Sequence, residues 1–198
     1  MACFGVLFYM GKLIYGVGFN DMDSTISKLR FGSKAYDAWR NMLQRCYDPK
    51  FHLRYTTYLN CSVCKEWFSF KNFYSWFVLN YIEGHQLDKD ILVPGNKEYS
   101  PDKCVFIPHW LNSFTTNKVN RRGKYPIGVS AYRGGYVSHC NNPFNGNQEH
   151  LGCFVSAEEA YQSWLNKKLE HALRLKDEMD SIDQRLYPSI IRIIKEMR

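Results

Sequence analysis

Two carboxylates one residue apart, in Leu87-Asp88-Lys89-Asp90-Ile91, head the one stretch of this 198-residue chain whose residue types suggest chemistry. Gly95-Asn96-Lys97 follows, then Tyr99-Ser100-Pro101-Asp102-Lys103-Cys104. A Gly-Asn turn between two short extended pieces, running on toward a helix, makes a compact hairpin-and-helix unit. Carboxylate oxygens on such a unit are hard ligands, suited to a single divalent ion that stabilises the charge developing in phosphodiester cleavage. The same residues have a purely structural use. Asp88 and Asp90 can cap turns and pair with Lys89, Lys97 or Lys103.

The elements that must position this hairpin are legible on either side. Ser33 can cap a helix whose apolar positions Tyr36, Trp39, Leu43 and Cys46 follow helical spacing, with Pro49 closing it. Tyr58 to Trp67 is rich in β-favouring residues. Ser69 can cap a second helix carrying Phe70, Phe73, Phe77 and Tyr81, which Gly84 ends. The aromatics from Trp67 to Tyr81 read as core. Pro108 to Phe114 reads as the start of a short helix. The polar, basic stretch from Thr115 to Pro126 is the clearest boundary, giving domains at 1–117 and 118–198.

Beyond the boundary the period changes. Ile127 to Tyr132, Tyr136 to Asn141 and Glu149 to Phe154 read as three short strands, with Gly134-Gly135 a tight connection and Asn145-Gly146-Asn147 in a longer loop. Ser156-Ala157-Glu158-Glu159 is a capping box opening a helix with Ala160, Trp164, Lys168 and Ala172 on one face. Ser189 to Met197, after Pro188, reads as a terminal amphipathic helix.

A net charge of +7 favours an anionic partner. Lys118 to Val155 contributes five basic residues, Lys118, Arg121, Arg122, Lys124 and Arg133, against the single acid Glu149. The 45% apolar and 16% aromatic content is globular, and no apolar run approaches membrane-spanning length. Met1–Met10 is apolar but lacks the basic lead and cleavage site of a signal peptide, so the expected partners exclude a membrane and the chain reads as not secreted. The seven cysteines are an odd, scattered set, read as free thiols in a reducing compartment. Cys61-x-x-Cys64 could be half a zinc knuckle, completed by Cys46 and Cys104. Its aromatic surroundings (Tyr58, Trp67, Phe68) favour buried free thiols instead.

Gly128-Val129, Tyr136, Leu151-Gly152-Cys153-Phe154, then Ser156-x-Glu158-Glu159-Ala160 and Trp164 resemble the APETALA2/ethylene-response-factor DNA-binding domain over about Tyr125 to Ala172. That resemblance implies a three-stranded antiparallel sheet packed on a helix, its free face laid in the major groove of double-stranded DNA. Alternation turns Val129 and Cys140 toward the helix and Ser130, Tyr132, His139 and Asn141 outward. Arg133, at the turn, suits a phosphate or guanine, and Arg121, Arg122 and Lys124 could follow phosphates. The plant pattern favours charged residues where this chain has His139 and Asn141.

The first domain resembles phage-encoded endonuclease-like proteins of the HNH (ββα-metal) type that carry such a C-terminal module. The matching segments are Tyr36-x-x-Trp39-x-x-Met42-Leu43-x-Arg45-Cys46-Tyr47, Cys61-Ser62-Val63-Cys64-Lys65-Glu66-Trp67-x-x-Phe70 and the Asp88 hairpin itself. The overall expectation is an α+β chain: a degenerate ββα-metal domain with flanking helices, then the sheet-and-helix module with a helical tail. The resemblance implies Asp88 as first ligand of Mg²⁺ or Mn²⁺ and Asn112 as last, with Asn96 bracing the loop and helping to orient the base. At the base position stands Lys89 where the family has His, and a lysine is protonated near neutral pH. Asp90 is then open to roles as base, second ligand or water-holder, and His85 or His109 could supply an imidazole. Two readings follow for a virus-encoded protein in a bacterial cytoplasm. One is a metal-dependent DNA endonuclease. The other is a catalytically inactive DNA-binding protein that regulates or inhibits a host system, with a host protein as a second partner.

Overall fold

The computed structural model of the protein describes residues 12–23, 25–116 and 123–198. Lys118, Arg121 and Arg122 of the basic stretch, and the N-terminal Met1–Met10, lie outside them. The architecture mixes helix and sheet. It divides into two compact units: the described residues of Met1–Glu83 with Leu87–Asp90 and Gly95–Phe106, and Gly84–Gln86 with Ile91–Pro94 and the described residues of Ile107–Arg198. No helix among the described residues is long and apolar enough to cross a membrane.

The first unit is built on two helices. In α1 (Gly32–Tyr47), Ala35, Trp39, Met42, Leu43 and Cys46 recur at three- and four-residue intervals and are all buried. The helix starts before Ser33, behind a left-handed Phe31, so Ser33 lies inside it and is not its cap. Pro49 ends α1 and also opens the short α2 (Pro49–Arg54), capped by Asp48, because proline is well suited to a first helical turn. α3 (Phe70–Asn80) is capped by Ser69, whose Oγ accepts from the Asn72 amide at 3.1 Å.

Asp21 fixes that cap in turn, accepting from Ser69 Oγ at 2.7 Å and from the Lys71 amide at 3.0 Å. Phe70, Phe73 and Phe77 face the α1 side chains, and Trp39 stands 5.3 Å from Phe70 between ring centroids. Burying one such ring is worth about 2–3 kcal/mol, so the aromatic segment is the core of this unit. Trp39 also donates its indole N–H to the Trp67 carbonyl at 2.7 Å.

The β-rich reading of Tyr58–Trp67 shrinks to β1 (Ser62–Val63), flanked by 3₁₀ turns at Thr56–Tyr58 and Lys65–Phe68. β1 pairs in parallel with β3 (Glu98–Tyr99). β2 (Gln86–Asp88) pairs with β4 (Val105–Ile107), and β4 runs through Pro108 into α4 (His109–Thr115).

The second unit carries a three-stranded antiparallel sheet in the order β5 (Val129–Tyr132), β6 (Gly135–Asn141), β7 (Gln148–Phe154). The β5–β6 turn is Arg133-Gly134, one residue earlier than Gly134-Gly135, and both residues have positive φ (46° and 80°). Two left-handed residues in a two-residue turn match the right-handed twist of the strands they join. α5 (Ala157–Arg174) opens at Ser156, whose Oγ accepts from the Glu159 amide at 3.2 Å.

Its Ala160, Tyr161 and Trp164 pack on Val129 and Cys140. Gly128 has φ +77°, and a Cβ there would stand 2.2 Å from Trp164 Cδ1, so no other residue fits that approach. α6 (Lys176–Ile182) and α7 (Leu186–Glu196) complete the unit. α7 starts before Pro188, which sits in its first turn. Ser189 Oγ donates to the carbonyls of Ile91 (2.5 Å) and Leu92 (3.1 Å).

Candidate nucleic-acid interface and the Asp88 hairpin

The hairpin brings Asp88, Lys89, Asp90 and Asn96 together. β2 ends at Asp88, so strand alternation, which would place Asp88 and Asp90 on one face, stops there. Instead Asp88 Oδ1 accepts the Asp90 amide at 3.0 Å, closing a turn of the kind aspartate makes with the backbone two residues on. Lys89 points inward and is 7% exposed. Its Nζ donates to Asp90 Oδ2 at 2.9 Å and to the Asn96 carbonyl at 3.3 Å, and lies 5.8 Å from the Tyr99 ring centroid.

Asn96 is the loop's brace. Its Nδ2 donates to the carbonyls of Lys89 and Glu98, each at 2.6 Å, and its Oδ1 accepts from the Glu98 amide at 3.2 Å. Lys103 pairs with Glu98 at 2.6 Å.

The charge state of Lys89 follows from opposed effects. Burial pushes its pKa down, but the hydrogen bond and charge of Asp90, helped by Cys61 and Asp88, outweigh it and leave the pKa above the ordinary lysine value. The residue at the base position is therefore a buried cation and holds no lone pair for a proton. Asn112 is exposed on α4 in the second unit. The two residues considered for an imidazole belong to that unit as well: exposed His109 opens α4, 3.5 Å from Ser113 Oγ, and half-buried His85 lies in Gly84–Gln86.

Cys46, Cys61 and Cys104 are buried and Cys64 is half-buried, all as free thiols. Burial pushes Cys46 up to about 12 and raises Cys64 and Cys104. Among the described residues no three His, Cys, Asp or Glu side chains gather as a metal-holding group.

On the sheet, Val129 and Cys140 face α5, and Ser130, Tyr132 and Asn141 are exposed, with His139 half-buried beside them. The turn presents Arg133 with its guanidinium 5.1 Å from the Tyr132 ring centroid, and Lys124 is exposed nearby in sequence. The β6–β7 register pairs His139 with His150. Their rings lie 5.2 Å apart, with 3.4 Å between His150 Nδ1 and His139 Nε2.

His150 escaped the sequence reading because an irregularity between Ser138 and His139 resets the alternation of β7 against β6. Two further residues were missed as polar groups: Lys168 and His171 lie on the buried face of α5. A lysine four residues after Trp164 on an apolar stripe was the available signal for the first.

Compared with known proteins, the chain matches no protein-family model, no curated protein and no solved structure.

Proposed function

We propose that this protein binds double-stranded DNA through the free face of its β5–β7 sheet and that its Asp88 hairpin is a non-catalytic part of that platform. The observation that carries the reading is the outward set Ser130, Tyr132, Arg133, His139 and Asn141 on a twisted three-stranded sheet. Such a sheet fits the width of a major groove. Its donors and acceptors are the types that read base edges, and Arg133 sits in the two-residue turn, where it could meet a phosphate or guanine. The chain's excess of +7 supplies the long-range attraction.

The hairpin supports the non-catalytic half. A divalent ion at Asp88 would need carboxylate charge to spare, and Lys89 already acts as the internal cation for Asp90 with Asp88 beside it. One Asp88 oxygen is committed to the turn. The residues of this hairpin therefore do not fit the Mg²⁺ or Mn²⁺ site that an active ββα-metal enzyme would need. The fold of the nuclease-like hairpin would serve as scaffold, consistent with a regulator or inhibitor of a host system.

Supercoiled plasmid incubated with the protein and Mg²⁺ or Mn²⁺ tests this. The reading expects plasmid that is retarded in a salt-sensitive gel shift and recovered uncut after proteolysis. Nicked plasmid that Asp88→Ala and Asn112→Ala both abolish would replace it with the endonuclease reading.

A further inference from the structure

We propose that a cavity in the second unit binds a small organic anion with a flat apolar body, held at its charged end by Lys168. The cavity measures about 550 Å³, within the range of ordinary small-molecule sites, and its walls include Trp110, Phe114, Trp164, Asn141 and Asn142. Lys168 reaches it from α5 and is 8% exposed. Its ammonium lies 3.5 Å from the centroid of the Phe114 ring.

That ring face attracts the cation but accepts no directed hydrogen bond of the kind a carboxylate gives. Among the described residues no hydrogen bond or salt bridge engages Nζ. An ammonium taken out of water in this way is costly unless paired. The geometry thus offers three donors at the wall of a cavity whose other walls include aromatic rings and side-chain amides.

The electrostatics of the surroundings agree. Burial holds the Lys168 amine down to about 8, opposed only by Cys140. The titratable groups around it are Cys140 of β6, whose thiol burial pushes up to about 11, His171 one turn along α5, held below its ordinary value by burial, and His109 of α4 and His139 of β6 in the cavity wall. The carboxylate of Glu149 lies beside His171, 3.7 Å from its Nε2. None of the thiol and imidazole groups around Lys168 brings a negative charge at neutral pH. A bound carboxylate or phosphate monoester would, and both share the required chemistry of an anion on a ring.

Calorimetric titration of the whole protein at pH 7 with 2-naphthoate, 2-naphthyl phosphate and the uncharged 2-naphthamide tests this directly. The expected result is one site per chain, with at least one anion binding tenfold or more tightly than the amide; the better anion identifies the head group. Lys168→Met should abolish that preference. Equal affinities for all three, or no saturable binding, would overturn the proposal on wild-type protein alone, whatever the variant's fold. An anion preference that survives in Lys168→Met would overturn it equally. DNA binding by the sheet can stand or fall independently, since none of these probes reports on it.

Discussion

Lys89 donates from Nζ to Asp90 Oδ2 across 2.9 Å, so the buried cation of the hairpin is matched by the carboxylate next to it in sequence. The two partners differ in exposure, with the lysine side chain 8% exposed and the aspartate 49%. Losing the exposed member strands a buried charge, whereas losing the buried member leaves a carboxylate that water can solvate. Asp90→Asn should therefore cost about 3 kcal/mol and Lys89→Met about 1 kcal/mol. Urea unfolding midpoints measure both, and a larger loss for Lys89→Met would remove the pair from this account.

Asn96 makes three hydrogen bonds within one loop, two as donor and one as acceptor. At about 0.5–1.5 kcal/mol for each, Asn96→Ala should destabilise the protein by about 2–3 kcal/mol. DNA affinity at low temperature, where the variant stays folded, should be unchanged. Loss of affinity without loss of stability would make Asn96 a contact residue and not a brace.

Those two residues also show how far the sequence could be read. Asn96 as a brace was implied by the family resemblance; the turn's residue types alone did not supply it. The turn that Asp88 closes on the Asp90 amide was not legible, since it depends on β2 stopping at Asp88. The helices were legible from aromatic spacing and from the Ser69 and Ser156 caps. The tight-turn position was missed by one residue because Arg133 adopts a conformation usually left to glycine. The isolation of Lys168 depends on what α4 and the sheet place around it, which helical spacing alone does not contain.

Gly128→Ala places a methyl group 2.2 Å from Trp164 Cδ1 on a residue with φ +77°. Backbone strain and overpacking together should cost about 3–4 kcal/mol. A thermal melt followed by Trp fluorescence should show the second unit losing its cooperative transition first. An unshifted melt would mean that the strand and α5 separate easily.

Lys168→Met should stabilise the protein at pH 7. A lysine whose folded pKa is about 8 and not 10.5 is charged at pH 7 in both states, and keeping it charged costs the folded state on the order of 3 kcal/mol. The unfolded chain holds this proton more tightly, so wild-type stability gains from Lys168 as pH rises from about 8 toward 10.5. Cys140, raised to about 11, opposes this gain above its ordinary value of 9.0. Comparing the variant with wild type isolates the lysine: the melting-temperature advantage of Lys168→Met, several degrees at pH 7, should shrink by pH 10. An advantage that is independent of pH would assign it to packing.

The most direct test of DNA recognition by the sheet is the salt dependence of binding to a fluorescent 20-base-pair duplex, measured by anisotropy for wild type, Arg133→Ala, Asn141→Ala and Asp88→Ala. DNA recognition by the sheet predicts measurable binding whose log–log salt slope falls by about 1 in Arg133→Ala. It predicts an affinity loss of about 1–3 kcal/mol with little change of slope in Asn141→Ala, and wild-type behaviour for Asp88→Ala. Affinity that ignores salt, or that depends on Asp88 and not on Arg133 and Asn141, would contradict it.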